Sequence, residues 1–286
     1  FASVGPCIGL KSYEVDLNFY KRFVTKSKNN LDEAVKLMRS EAGVKAEKKS
    51  NRIAAEGVVH YFSNKSKSLL IEINSETDFV AKGDDFLNYV QKTCEIIVNQ
   101  PCLNLLELTE SNQHEIKTEL EELRKNYVTK LGENIQIRRF EVIDKENNSV
   151  AGYTHNNKIG AMVILKSSDE QLSKDICMQI VASSPLALDE KSIDSKILDN
   201  EREVYKAELK KIDKKDDIKR NILEGKIKKF ISENTLLNQP FIKDGSLTLN
   251  NILKDNKILS YTRYQLGEGI DKKQEDFAQE VYSQIK

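Results

Sequence analysis

Apolar positions along this chain follow two rhythms, one helical and one strand-like, and the order of the two is repeated. Near the N-terminus Phe19, Phe23 and Val24 lie on one segment, and Leu31, Ala34, Val35, Leu37 and Met38 recur at helical spacing on the next, with charges between them. That spacing predicts helices within residues 17–51, with Asn29-Asn30 as a turn or N-cap, and so a small helical module. The run Lys45-Ala46-Glu47-Lys48-Lys49-Ser50-Asn51 reads as a helix tail or a linker. Residues 1–16 are too irregular to assign.

From residue 58 the rhythm changes. Residues 58–62, a polar turn and residues 69–73 predict a hairpin, and a helix-like segment follows over 78–98. The order then returns: 150–155, the turn Asn156-Asn157-Lys158 and 161–165 form a second hairpin, followed by a helix-like run over 169–181. Each copy acquires a late third strand, 134–143 in the first and 258–266 in the second, with Gly132-Glu133 and Gly267-Glu268 beside them. Many α+β chains repeat a hairpin and a helix without kinship, but the matched order favours a duplication: two related α+β subdomains with antiparallel sheets.

Inside the second copy, residues 200–231 are strongly charged, with apolar positions at Tyr205, Leu209, Ile212, Ile218, Ile222, Ile227 and Phe230 around a polar centre at 213–217. This spacing predicts two short helices folded back as an antiparallel, coiled-coil-like pair. Such an arm adds little core and serves association or spacing.

Length and charge narrow the function. A chain of 286 residues suggests two domains, and 45 basic against 45 acidic residues leave no net field for non-specific nucleic-acid binding. No apolar run is long enough to span a membrane. Cys7, Cys94, Cys102 and Cys177 contain no C-x-x-C pair, and His60, His114 and His155 lie far apart, so free thiols are expected rather than a zinc site. Phosphate-loop, dinucleotide, zincin and nucleophile-elbow motifs are absent, which leaves an enzyme reading without residues to carry it. His60 and His155 fall at corresponding positions in the two hairpins, where structural or surface roles are expected.

The segment Ser75-Glu76-Thr77-Asp78-Phe79-Val80-Ala81-Lys82 is different. It leaves an apolar strand through residues that favour helix N-caps and puts Phe79 in a first helical turn. Local pattern allows two readings. One is an ordinary capped helix with Phe79 stapled to the core; the other is a rigid tip that presents an acid and an aromatic ring to a partner.

The Glu76-Thr77-Asp78-Phe79-Val80-Ala81-Lys82 run resembles the signature of translation elongation factor Ts, the guanine nucleotide exchange factor for elongation factor Tu. Other similar pieces follow in order: Ala34-Val35-Lys36-Leu37-Met38-Arg39, Ala54-Ala55-Glu56-Gly57, Gly132-Glu133-Asn134-Ile135 with Arg138-Arg139, Tyr153 with His155 and Gly160, Glu224-Gly225-Lys226, Asn238-Gln239-Pro240-Phe241 and Gly267-Glu268-Gly269-Ile270. The resemblance runs from about residue 29 to the C-terminus. It implies an α+β fold with an N-terminal three-helix domain like a ubiquitin-associated domain at 1–52 and core subdomains at 53–145 and at 146–199 with 232–270. A coiled-coil arm at 200–231 and a C-terminal helical module at 271–286 complete that arrangement.

The resemblance also implies a function without catalytic residues or cofactors. Thr77, Asp78, Phe79 and Val80 would enter elongation factor Tu, in its GDP-bound or nucleotide-free state, and disturb its magnesium site. His155 matches a family histidine and is the secondary candidate for partner contact. No nucleic-acid or membrane partner is implied, and one-to-one pairing and a homodimer through the arm both stand open. One departure is plain: the family's Thr-Gly-Ala-Gly loop, followed by Met, Asp and Cys, has no counterpart in Tyr13-Glu14-Val15-Asp16 and residues 17–20.

Lysine-rich runs motivate an alternative, a ribosome- or RNA-associated structural protein without exchange activity. A first residue that is Phe, an AT-biased composition and the divergent N-terminus suggest a mature organellar factor, mitochondrial or plastid, with its targeting segment removed. The bacterial cytoplasm is the alternative.

Overall fold

The computed structural model describes residues 17–271, apart from 29, 102–103, 111–113, 146–148 and 213. Several expectations lie outside the described residues: those for 1–16, Asn29, Cys7, Cys102 and the C-terminal module beyond Asp271.

Helices α1 (Leu17–Lys26) and α2 (Leu31–Lys49) pack together at the start of the chain. The Asn30 side chain accepts the Glu33 N–H and caps α2, whose first turn holds Asp32 and Glu33 and whose last holds Lys48 and Lys49, so both ends complement the helix dipole. Phe23, Ala34 and Ala42 are buried, whereas Leu31 and Leu37, apolar at the same spacing, are exposed. The lysine-rich run to Lys49 is helix tail rather than linker. There Ala46 is fully buried in the core of the following subdomain.

That subdomain begins with β1 (Glu56–Ser63) and β2 (Lys67–Ser75), continues through α3 (Asp78–Ala81), α4 (Asp84–Val98), α5 (Leu105–Glu110) and α6 (His114–Leu131), and closes with β3 (Gln136–Asp144). Its sheet is antiparallel in the order β1-β2-β3. The segment read as one helix over 78–98 is two. Gly83 takes an extended conformation and N-caps α4, and Asp84 and Asp85 occupy the new first turn.

The second subdomain repeats the plan. Strands β4 (Ser149–His155) and β5 (Ile159–Leu165) precede α7 (Glu170–Ser183), whose N-cap is Asp169. Between α7 and the closing strand lie α8 (Ser195–Lys210), α9 (Asp216–Asn234), the short strands β6 (Pro240–Phe241) and β7 (Asp244–Thr248), and α10 (Leu249–Leu253). Strand β8 (Ile258–Gln265) then completes an antiparallel sheet ordered β4-β5-β8. In both sheets the second hairpin strand is central, and its pairing with the late strand carries a register shift, at Glu72/Ile73 and Ile164/Leu165.

Side chains alternate across the central strands, which fixes what each sheet face meets. Leu69, Ile71 and Ile73 join Phe86, Tyr89, Cys94 and Ile97 in one core; Ala161, Val163 and Leu165 join Ile176, Cys177 and Ile180 in another. The remaining faces pack on each other through Val59, Leu70 and Met162. Small residues allow that approach: a Cβ on Gly160 would lie 2.7 Å from Val59 and 2.9 Å from Leu70, and one on Gly152 would overlap the Tyr61 ring.

A charged joint also links the subdomains. Glu72 is fully buried and accepts from Arg138 Nη1 at 2.9 Å, Arg139 Nε at 2.6 Å and the Gly267 N–H at 2.8 Å. Arg139 extends to the Gln265 carbonyl at 3.0 Å and the Glu268 carboxylate at 3.2 Å.

The arm is longer at both ends than residues 200–231, since α8 begins at Ser195 and α9 runs to Asn234. Ile227 and Ile231 anchor its base with Ala187 and Ile193. A parallel bridge from Ala187 to Thr235 ties that base to the body. Farther out, Leu209 is buried while Ile212 and Ile218 are exposed.

Candidate partner-binding tip

Strand β2 ends at Ser75, and Glu76 and Thr77 carry the chain into α3. Thr77 is the N-cap: its backbone is extended and its hydroxyl accepts the Val80 N–H at 3.3 Å. The helix is a single turn, because Gly83 starts α4 immediately afterwards. Within that turn the side chains divide. Ala81 is buried and Val80 packs against the first core, while the Phe79 ring is 84% exposed. Phe79 is therefore not a core staple, and Val80 supports the tip from beneath.

Asp78 accepts from Lys82 Nζ at 2.6 Å. This hydrogen bond, with charge attraction from Lys82 and Lys158, holds the Asp78 carboxyl below its ordinary range. An ionised carboxylate thus stands beside an exposed aromatic ring. The two differ in direction, polarity and reach, a pairing suited to contact with another protein surface.

Lys158 brings the second hairpin to the same region. It lies in the turn that follows His155, and its ammonium is 3.9 Å from Glu56 on β1. Asn156 and Asn157 both have positive φ, the conformation of a type I′ turn, and the Val59 N–H donates to the Asn157 carbonyl at 2.7 Å. His155 is exposed, with Nδ1 3.2 Å from the Tyr153 hydroxyl. His60 does not occupy the equivalent place, contrary to the sequence expectation. It pairs with Ile71 in the middle of its hairpin, whereas His155 pairs with Ile159 at the turn. Burial lowers the His60 pKa.

Two acidic residues that sequence reasoning did not single out as site residues lie under the tip. Glu133 Oε2 accepts the Glu76 N–H at 3.1 Å and the Thr77 N–H at 3.0 Å, and its Oε1 accepts the Thr77 hydroxyl at 2.6 Å. Glu76 returns the contact by accepting the Asn134 N–H at 2.6 Å. The available signal was the Gly132-Glu133 pair just before the late strand. Among the described residues there is no cluster of His, Cys, Asp or Glu that could hold a metal ion.

Comparison with known proteins gives the family. A family model described as elongation factor TS matches residues 76–268, which begins at the tip and ends at the Glu72 joint. The chain is 37% identical to elongation factor Ts of Thioalkalivibrio sulfidiphilus over 271 residues, covering 93% of this chain and 92% of that protein. Elongation factor Ts of Alkalilimnicola ehrlichii is 39% identical and that of Methylococcus capsulatus 36%, each with the same coverage of both chains. The match spans the helical start, both subdomains and the arm, and on it this chain belongs to the elongation factor Ts family.

Proposed function

We propose that the chain acts in translation elongation as a guanine nucleotide exchange factor without catalytic residues of its own, binding elongation factor Tu with GDP and promoting nucleotide release. The observation that carries this reading is Phe79, a large apolar ring 84% exposed on a capped turn whose next two residues are anchored. An exposed aromatic on a rigid support loses little entropy on docking and supplies much contact area. Entering beside the partner's magnesium site, Phe79 and the Asp78 carboxylate weaken the bridge from metal to phosphates, and GDP leaves faster. Coupling is reciprocal, so incoming GTP loosens the factor by as much as the factor loosens nucleotide.

The test is release of fluorescent GDP from elongation factor Tu with and without the protein, beside an Asp78→Ala/Phe79→Ala variant. Acceleration by the wild type, reduced about tenfold or more in the variant, is the expected outcome. A folded wild type that leaves release unchanged overturns the reading.

The RNA-binding alternative has less support. Its lysine-rich segments carry their own counter-charges, with Lys45 3.1 Å from Glu41 and Lys229 3.7 Å from Glu233. Between the compartments expected from sequence, the three bacterial relatives favour the bacterial cytoplasm over an organelle. Among the described residues no helix is long and apolar enough to cross a membrane.

A further inference from the structure

The tip stands on a helix of one turn, and its two helical backbone bonds, from the Ala81 N–H to Thr77 and from the Lys82 N–H to Asp78, are too few to hold it in water. Its order must come from elsewhere. One carboxylate, that of Glu133, takes three donors from the segment leading into it: the N–H groups of Glu76 and Thr77 and the Thr77 hydroxyl. Hydrogen bonds to an ionised acceptor are stronger than neutral ones, and two of these three end on a single oxygen.

The hydroxyl bond has a directional consequence. Thr77 has one hydroxyl hydrogen, and at 2.6 Å it points to Glu133, which leaves the oxygen lone pairs for the Val80 N–H. Glu133 therefore sets the polarity of the cap that begins the tip helix. Its own backbone is fixed in turn. Gly132 has φ +78°, Lys49 Nζ donates to the Gly132 carbonyl, and Asn134, which follows Glu133, is buried. The Asn134 amide donates to the Arg52 carbonyl at 2.8 Å, and its N–H donates to Glu76, whose other oxygen lies 3.4 Å from Arg52.

We infer that Glu133 is the positioning residue of the tip, holding Thr77 so that Asp78 and Phe79 are presented in one orientation before any partner arrives. The inference deepens the exchange-factor reading and rests on it for its effect on activity. Glu133 touches the tip's backbone and cap rather than the partner, so its contribution is preorganisation.

The experiment uses the full-length protein and Glu133→Ala and Glu133→Gln variants in two measurements. The first is amide hydrogen exchange in the free protein. Glu133→Ala is expected to speed exchange at residues 76, 77 and 80 about tenfold or more, with β5 and α7 unchanged; Glu133→Gln, which keeps one acceptor oxygen, falls between. The second is GDP release from elongation factor Tu across a range of factor concentrations. Loss of preorganisation is expected to raise the concentration for half-maximal acceleration about tenfold in Glu133→Ala, with partial recovery in Glu133→Gln.

Tip amides as protected as in the wild type in both variants overturn the inference. So does wild-type concentration dependence in Glu133→Ala when Asp78→Ala/Phe79→Ala is inactive. If the tip variant itself retains full activity, the exchange-factor reading fails instead, and hydrogen exchange still decides whether Glu133 orders the tip. Should Glu133→Ala fail to fold, the isosteric Glu133→Gln carries both measurements.

Discussion

Thr77 and Phe79 show how differently neighbouring residues can be read from sequence. An N-cap at Asp78 or Thr77 follows from the chemistry of either side chain, and in the structure it is Thr77 that caps. Phe79 was ambiguous because both a staple and a wedge need a large apolar side chain near a helix start. The short α3 resolves this, since Phe79 is the second residue of the helix and a staple joins the residue before the cap to the fourth helical one. Phe79→Ala should therefore change unfolding free energy by less than about 0.5 kcal/mol in denaturant titration, while exchange falls by about an order of magnitude or more. Equal losses in both measurements would return Phe79 to a packing role. The buried thiols give an opposite case. Burial pushes Cys94 and Cys177 up to about 12, so neither should be alkylated at pH 8 in the folded protein. Mapping by mass spectrometry should find both modified only after unfolding.

Elements were most legible where burial enforces a period. Strands β2 and β5 declare themselves because a central strand alternates between two apolar environments, and β1 and β4 because each forms a hairpin with one of them, so the repeated order of hairpin, helix and late strand was readable. Boundaries that depend on one residue's backbone were not. Gly83 divides a helical pattern whose apolar positions run on past it, and α2 extends through lysines that read equally well as linker. Gly152 carried no signal of its own and Gly160 only its place in the resemblance, since only the packing of one sheet on the other shows that a side chain would not fit. Gly160→Ala forces a methyl against Val59 and Leu70 and should cost about 1–3 kcal/mol, measured as a lower denaturant midpoint. An unchanged midpoint would mean that the sheets separate easily.

At the scale of the whole molecule, what sequence could not show is how distant segments converge. The Glu76 N–H donates to Glu133 across 57 positions of chain, the Glu76 carboxylate accepts the Asn134 N–H across 58, and the Gly267 N–H reaches Glu72 across 195. Such contacts leave no periodic trace. The Glu72 joint also depends on charge. Glu72→Gln removes the negative charge between Arg138 and Arg139 while keeping its shape, and should destabilise the fold by about 3 kcal/mol, visible as a lower thermal midpoint. A variant as stable as the wild type would assign the joint to orientation rather than stability.

The late arrival of β8 bears on how this chain is made. Strand β5 is central, yet when Leu165 leaves the ribosome it has only β4 beside it; α7, both arm helices and the small hairpin must be synthesised before Ile258 can take the open side. During that interval an apolar strand presents unpaired backbone to any passing chain. The first sheet has the same exposure between Ser75 and Gln136, for a shorter stretch. A nascent chain stalled within the arm would thus hold one finished sheet and one that is still adhesive, the kind of species that chaperones retain.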